Sequence, residues 1–417
     1  MKKLSLNKLW VGVTLSALAV AGCQQNEEFA PDQEVVQNGD LVAGRYIVKY
    51  KDSPFANGRM SFQNYDQAVS SINNYTVNFL RSNDIEDAKI THNYVGDFAG
   101  FAANLESSDL EKLRKNPQVE YIEQDRVWVL DFDLDDARTT DVGIAAQTTP
   151  WGITRVGGAG NGTGKRAWII DTGVDINLSG STWVGHTDLN VNVNGGRAYL
   201  NAGSVYTMPA SATTIDDGHG HGTHVAGTVA AKNNSTGVIG VAAGATVVGI
   251  KVLSNSGSGY TSDIVAGCNY VANNGTAGDV ANLSLGGGAS TATDNAVKAI
   301  AAKGIKVAVA AGNSNADASN YSPARANATN LYTVASFASG DVWSSFSNYG
   351  SPVDYAEPGS SIPSLYKNNG TATMSGTSMA SPHLAGILLL GTVKNGGTVT
   401  RPASGGVSAK TYTIGKR

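Results

Sequence analysis

From Lys165 onward, short apolar runs rich in β-branched residues alternate with segments of helical spacing; the runs cover 167–170, 247–253, 280–285 and 305–310. A strand that is apolar on both faces must be covered on both, so the pattern predicts an α/β architecture, a parallel sheet sandwiched by helices. In such an open sheet the ligand crevice lies beyond the carboxyl ends of the strands, and the polar residues after each run become the candidates for chemistry. At 417 residues the chain is longer than one domain of about 100–200 residues, so at least one further unit is expected. Its 50 glycines and 15% charged residues suit a globular chain with many tight turns. A net charge of -4 supplies no basic field, and no Lys/Arg stripe interleaves with aromatics, so nucleic acid is not an expected partner.

The N-terminus carries Lys2, Lys3 and Lys8 ahead of an apolar run over 9–21. The run is shorter than the roughly 20 residues of a bilayer span but fits the core of a signal peptide. It ends in Val20-Ala21-Gly22-Cys23, which resembles the lipobox of bacterial lipoproteins, where the Cys is acylated and becomes the mature N-terminus. Ordinary signal cleavage beside the same small residues is the alternative. Either route predicts export, to the cell envelope or the medium. After the leader, 1–23, residues 24–40 read as a flexible polar tether. Strand and helix patterns over 41–130 follow the order β-α-β-β-α-β, with Ser107 or Ser108 as a helix cap and Pro117 past that helix's end, which predicts a small α+β ferredoxin-like domain. Residues 131–144 carry five aspartates against Arg138 and read as an exposed, cuttable acidic linker. The main domain then occupies 145–417. Cys268 shares a helical face with Ile264 and Val271 and is expected in the core, which leaves this exported chain without an internal disulfide if Cys23 is lipidated.

Three polar segments stand out at the predicted strand ends. Ile169-Ile170-Asp171-Thr172-Gly173 places a carboxylate, and His219-Gly220-His221-Gly222-Thr223-His224 brings imidazoles to a helix start. Gly376-Thr377-Ser378-Met379-Ala380-Ser381-Pro382-His383 supplies a serine. Pro382 is expected in the first turn of its helix, which puts Ser378 at that helix's N-terminus. A serine hydroxyl is a poor nucleophile until a neutral imidazole takes its proton, and the imidazole needs an anion to fix its tautomer. Each residue alone has a plainer reading, as a cap, a turn residue or a packed histidine. Asp-Thr-Gly on its own also resembles an aspartic-protease signature, which requires a second such Asp. The six histidines include no His-Glu-x-x-His, so a zinc hydrolase is the poorer alternative and no catalytic metal is expected.

The chain order Asp, His, Ser is that of subtilisin, and all three segments resemble the subtilisin-like serine proteases, the subtilases. The run 280–313, Asn320-Tyr321-Ser322-Pro323 and Ser344-Ser345-Phe346-Ser347-Asn348-Tyr349-Gly350 look like the proteinase K branch, and the resemblance covers roughly 145–390. It implies that Asp171 orients His221, that His221 is the general base and that Ser378 is the nucleophile. Asn313 would donate to the oxyanion together with the Ser378 N–H. Ser284, Leu285 and Gly286 would flank an extended polypeptide substrate on one side, and Gly257, Ser258 and Gly259 on the other. With Ala311 and Gly312 they would leave an open, uncharged primary pocket for apolar or aromatic side chains. Thr261 rather than Tyr260 falls on the family's usual pocket tyrosine.

The resemblance also implies a structural Ca2+ at Asp354, completed by carbonyls near Asn327 and Leu331, in a stretch that carries two extra residues. The 41–130 domain resembles an inhibitory propeptide, through its ending Val119-Glu120-Tyr121-Ile122-Glu123-Gln124-Asp125, and Ala145-Ala146-Gln147-Thr148-Thr149-Pro150-Trp151-Gly152 looks like a mature N-terminus. A monomeric zymogen is therefore expected, inhibited by its own propeptide, cut near Ile144 and active at neutral to alkaline pH. Any lipid on Cys23 would stay with the propeptide, so membrane anchoring would be transient. After the Ser378 helix only a short Gly/Thr/Ser-rich stretch follows, where relatives carry further strands and helices. A catalytically silent peptide-binding protein is the rival reading, opposed by the intact triad and Asn313.

Overall fold

The structure, a computed structural model, describes residues 37–55, 64–138, 146–200, 204–207 and 212–417. The leader, Cys23 and most of the expected tether lie outside the described residues. Among the described residues no helix is long and apolar enough to cross a membrane.

The first unit follows the expected order: β1 (Leu41–Tyr50), α1 (Tyr65–Arg81), β2 (Lys89–Tyr94), β3 (Gly100–Asn104), α2 (Ser107–Arg114) and β4 (Val119–Val129). The strands lie in the order β4-β1-β3-β2 with every neighbour antiparallel. Period-two alternation gives the sheet two apolar faces. Val48 and Phe101 face α1 and α2, joining Ile72, Phe79, Leu110 and Leu113 in one core. Ile47, Tyr94, Ala102 and Trp128 face the other way and bury themselves in the second unit. The cap of helix α2 is Glu106, one residue before the nearer of the two expected serines, with the Glu106 N–H donating to Asp109 Oδ2 at 3.1 Å. Residues 37–40, expected in the tether, instead run beside β4: the Gly39 N–H donates to the Val127 carbonyl and the Val127 N–H to that of Asp40, both at 2.9 Å.

The linker differs from expectation too. Composition alone suggested an exposed connector, yet Asp133–Arg138 forms a strand, β5. The second unit then supplies β6 (Arg166–Asp171), α3 (His221–Ala230), β7 (Thr246–Lys251), β8 (Ser258–Tyr260), α4 (Thr261–Asn274), β9 (Val280–Leu283), α5 (Thr291–Ala302) and β10 (Lys306–Ala310). It continues with β11 (Leu331–Ala338), β12 (Val353–Pro358), β13 (Ile362–Tyr366), β14 (Gly370–Ser375), α6 (Thr377–Leu390), β15 (Lys394–Arg401) and β16 (Lys410–Lys416). All four apolar runs read from the sequence contain strands of one sheet, ordered β7-β6-β9-β10-β11-β12-β16-β15, with the neighbours from β7 to β16 parallel. Ile169, Ile170, Val247, Ile250, Leu283, Val307 and Val309 are fully buried. At roughly 1.5–3 kcal/mol for each such side chain, covering both faces is the main stabilising term. Cys268 is buried with them on α4, and burial pushes its thiol pKa up.

The residues after α6 extend the sheet by two strands. β15 and β16 form an antiparallel hairpin, and Ile414 of β16 pairs with Ala356 of β12. Val399, Tyr412 and Ile414 fill the core beneath.

Candidate active site

β6 connects onward to β7 on one side and its neighbour β9 to β10 on the other, so the connections diverge between them and open a crevice at their carboxyl ends. Asp171 is the last residue of β6, Ser284 follows β9, and 311–313 follow β10. His221 is the first residue of α3 and Ser378 the second of α6. The sheet thus delivers all four expected catalytic residues to one crevice.

His221 Nδ1 lies 2.7 Å from Asp171 Oδ1, with both residues fully buried, and the Thr172 N–H donates to the same oxygen at 2.7 Å. An Nδ1–H bonded to a carboxylate leaves Nε2 as the free base. Among the described residues Nε2 has no hydrogen-bond partner. The Ser378 hydroxyl donates instead to the Ser284 carbonyl at 3.0 Å, so it must rotate toward His221 before attack.

The proline of α6 sits in the second turn, at the sixth helical residue, and not in the first turn as expected. A proline there has no N–H for the carbonyl four residues back, which is that of Ser378. The Ser284 hydroxyl takes over that role, donating to the Ser378 carbonyl at 2.7 Å. Ser284 therefore holds the nucleophile in place through both of its oxygens.

Asn313 Oδ1 accepts from the Thr377 N–H and the Thr377 hydroxyl, each at 2.8 Å, which aims the amide Nδ2 outward as a donor. Gly312, at φ +102°, makes the turn that presents it, and a Cβ there would lie 2.4 Å from Asn348 Nδ2. A Cβ on Gly376 would stand 3.3 Å from Asn313 Nδ2 and 3.6 Å from the Ser378 N, inside the oxyanion space itself.

That space holds a peptide carbonyl. Asn313 Nδ2 donates to the main-chain oxygen of Asp131. Upstream, β4 runs antiparallel to β8, pairing Val127 with Tyr260, Trp128 with Gly259 and Val129 with Ser258, and the Leu130 N–H donates to the Gly257 carbonyl at 3.0 Å. Gly257, Ser258 and Gly259 thus flank an extended strand of the chain itself. The opposite side is different: Asn38 accepts from the Val129 N–H and donates to the Gly286 carbonyl, both at 3.3 Å, bridging where direct pairing was expected. Leu285, Gly286, Ala311 and Gly312 line the pocket beside Asp131, together with Ala310, Tyr321 and Ala324. Downstream, the Phe132 ring lies 5.0 Å from that of His221 and 5.6 Å from that of His219. The peptide bond held beside Asn313 and Ser378 is therefore Asp131–Phe132. Ile144, near which a cut was expected, lies outside the described residues.

Sequence reasoning missed the residues that brace this geometry. Asp217, fully buried, accepts from the Thr172 and Thr223 hydroxyls and from the N–H groups of Gly220 and Thr223 at 2.6–2.8 Å, tying β6 to the start of α3. Asn348 accepts from the N–H groups of Ser314 and Ala316 and donates to the Ala311 carbonyl, fixing the loop that carries Asn313. Asn348 belongs to one of the segments that carry the family resemblance. For Asp217 the only signal was an acidic pair just before the histidines. Three further histidines, His219, His224 and His383, lie on the segments that carry His221 and Ser378. Burial lowers the pKa of His224 to about 3 and that of His383 to about 4, against the opposing pull of the main-chain carbonyls each ring faces. His219 is lowered by burial and by His221 beside it.

The propeptide unit is held by charge at two helix starts. Asp125, fully buried, accepts from the Ser262 N–H at 3.0 Å, the Ser262 hydroxyl at 2.6 Å and Arg45 Nε at 2.7 Å; Glu123 Oε2 accepts from the Ala292 N–H of α5 at 3.0 Å. Asp125→Ala would strand those donors in a dry interface. With hydrogen bonds to a charged group worth about 1.5–3 kcal/mol, the inhibition constant of the cleaved propeptide is expected to rise by about tenfold to a hundredfold. A titration of active enzyme with the variant propeptide measures it; an unchanged constant would show that the apolar contacts alone hold the complex.

Asp354, expected to bind Ca2+, has its Oδ2 occupied by the Thr333 N–H at 2.8 Å. Among the described residues no group of three or more His, Cys, Asp or Glu side chains converges on a cation position. A calcium ion at Asp354 would take most of its six to eight oxygens from main-chain carbonyls and water.

Residues 167–401 match the peptidase S8 profile described as "Subtilase family", and residues 45–131 match "Peptidase inhibitor I9". The chain is 38% identical over 384 residues to alkaline serine exoprotease A of Vibrio alginolyticus, covering 89% of this chain and 64% of that protein. It is 36% identical to the subtilisin-like serine protease AsES of Sarocladium strictum, covering 91% and 87%, and 35% identical to proteinase R of Parengyodontium album, covering 88% and 84%. A crystal structure of a cold-adapted subtilisin-like serine proteinase aligns over 56% of this chain and 77% of that one, with 42% identity and a TM-score of 0.46. With an I9 inhibitor unit leading into a peptidase unit that carries Asp171, His221 and Ser378 around one crevice, the chain belongs to the subtilase family of serine proteases.

Proposed function

We propose that the protein is an exported serine endopeptidase, made as a zymogen whose first substrate is its own Asp131–Phe132 bond. The observation that carries this is the Asp131 carbonyl lying against Asn313 Nδ2 while β4 pairs with β8. Ser378 Oγ attacks the Asp131 carbonyl carbon as His221 Nε2 takes its proton. The tetrahedral oxyanion forms toward Asn313 and the Ser378 N–H, and collapses as the imidazolium protonates the Phe132 nitrogen. Water then hydrolyses the ester on Ser378, with His221 again as base. The pocket residues Leu285, Ala310, Ala311, Tyr321 and Ala324 carry no charge and favour apolar or aromatic side chains in other substrates. Asp131 suits such a pocket poorly, but delivery by a covalently attached strand replaces an encounter in solution and offsets the mismatch.

A later cut within 139–145 would complete the mature N-terminus. Residues just beyond are already docked: the N–H groups of Gln147 and Thr148 donate to the carbonyls of Ser235 and Gly237 at 3.0 and 2.8 Å. Export, and acylation of Cys23, rest on the leader sequence. The test is to follow wild-type precursor by intact mass and N-terminal sequencing while assaying protein hydrolysis with and without a serine-directed inhibitor. The first new N-terminus is expected at Phe132; a first cut elsewhere, or hydrolysis indifferent to the inhibitor, contradicts the proposal. Asn313→Ala is expected to lower kcat by about 10²–10³ with little change in KM, because its donor acts mainly on the developing oxyanion.

A further inference from the structure

Beyond the scissile bond the linker does not leave the enzyme. Six residues, Asp133–Arg138, lie antiparallel along β14, pairing Asp133 with Ser375, Leu134 with Met374, Asp136 with Thr373, Ala137 with Ala372 and Arg138 with Thr371. A register shift between Thr373 and Met374 leaves Asp135 as the extra residue, and its carboxylate accepts from the Ser375 hydroxyl at 3.0 Å. The opposite edge of β14 is already taken by β13. Once the linker is trimmed, the edge that carried β5 is a row of main-chain donors and acceptors leading directly away from Ser378. We infer that this edge is a long substrate site: the enzyme binds the leaving-group side of polypeptides as an added β-strand over about six residues, with a large apolar side chain beside His219 and His221 where Phe132 sits. This rests on the endopeptidase reading above and extends it to the substrate class, extended unfolded chains rather than short peptides. It also gives β5 a role, since after the first cut it still covers β14 and keeps long substrates out until it is removed. Recognition through main-chain groups tolerates many sequences, which suits a site meant for varied proteins.

The test uses enzyme processed from the full chain and three internally quenched peptides that share residues 127–131 on the acyl side. One ends at Phe132, one continues through Arg138, and one is the long peptide with its amide nitrogens methylated from Leu134 to Arg138. The long peptide is expected to exceed the short one in kcat/KM by about tenfold or more, equivalent to about 1.4 kcal/mol, and methylation is expected to abolish the gain. Equal rates for the short and long peptides overturn the inference, as does a gain that survives methylation. Cleavage of the short peptide that stops when the processed enzyme is treated with a serine-directed inhibitor would leave the endopeptidase reading standing in either case, so the two failures are distinguishable.

Discussion

Replacing Ser378 by alanine is expected to lower kcat on peptides by about 10⁶-fold, because without the hydroxyl no acyl-enzyme can form. The structure predicts a second and more visible consequence: the chain accumulates as an uncut precursor. Its own strand stays in the cleft, paired from Val127 to Val129 with β8 and from Asp133 to Arg138 with β14. Wild type is expected to separate into a propeptide and a peptidase unit, whereas the variant runs at full length on a denaturing gel. If Cys23 is acylated, the variant also remains with membranes while the wild-type peptidase unit is released. Fold loss is not the expected cause of inactivity, because the Ser378 hydroxyl makes one hydrogen bond, to the Ser284 carbonyl, and the helix-securing bond runs from the Ser284 hydroxyl to the Ser378 main chain. Processing of the variant in a preparation free of wild type would exclude Ser378 as the nucleophile of the first cut.

What could be read in advance depended on whether a residue's role was local or relational. The sheet was legible because an apolar run buried on both faces admits few other uses, and the catalytic residues because the crevice rule says where to look along such runs. Asp217 and Asn348 were not singled out, since an acid near a histidine or an asparagine in a loop gains its meaning only from the donors that the fold gathers around it. Linker composition misled for a related reason. Five aspartates suggest exposure, but a strand bound through its main chain at a sheet edge can leave its side chains in water, as Leu134, half exposed, and Asp135 do here. The cut was expected near Ile144 because sequence likeness marks where a mature chain begins. The geometry marks a different event, the bond that lies at the nucleophile when the propeptide has just folded. The two are compatible once processing has two steps, with 132–145 as the piece between them.

The histidine's carboxylate partner gives the sharpest remaining test, because two substitutions separate its two duties. Asp171 Oδ1 accepts from both the Thr172 N–H and His221 Nδ1, while Oδ2 has no hydrogen-bond partner among the described residues. Asp171→Ala removes orientation and charge together and is expected to lower kcat by about 10⁴-fold, with KM little changed. In Asp171→Asn the Thr172 N–H favours the amide oxygen at the Oδ1 position, which puts the NH2 where Oδ2 was, a position with no acceptor among the described residues. His221 then keeps its Nδ1–H and its orientation, and what is lost is the negative charge facing the imidazolium. Its loss is expected to be smaller than that of the alanine variant but still well above tenfold, since a buried site has no water to replace that charge. The comparison is made by measuring kcat and KM for both variants on one peptide, with secondary structure and thermal unfolding checked against wild type. Should asparagine match wild type, the carboxylate would act only as an orienting acceptor; should it match alanine, the amide would have turned its NH2 to His221 and forced the wrong tautomer on the base.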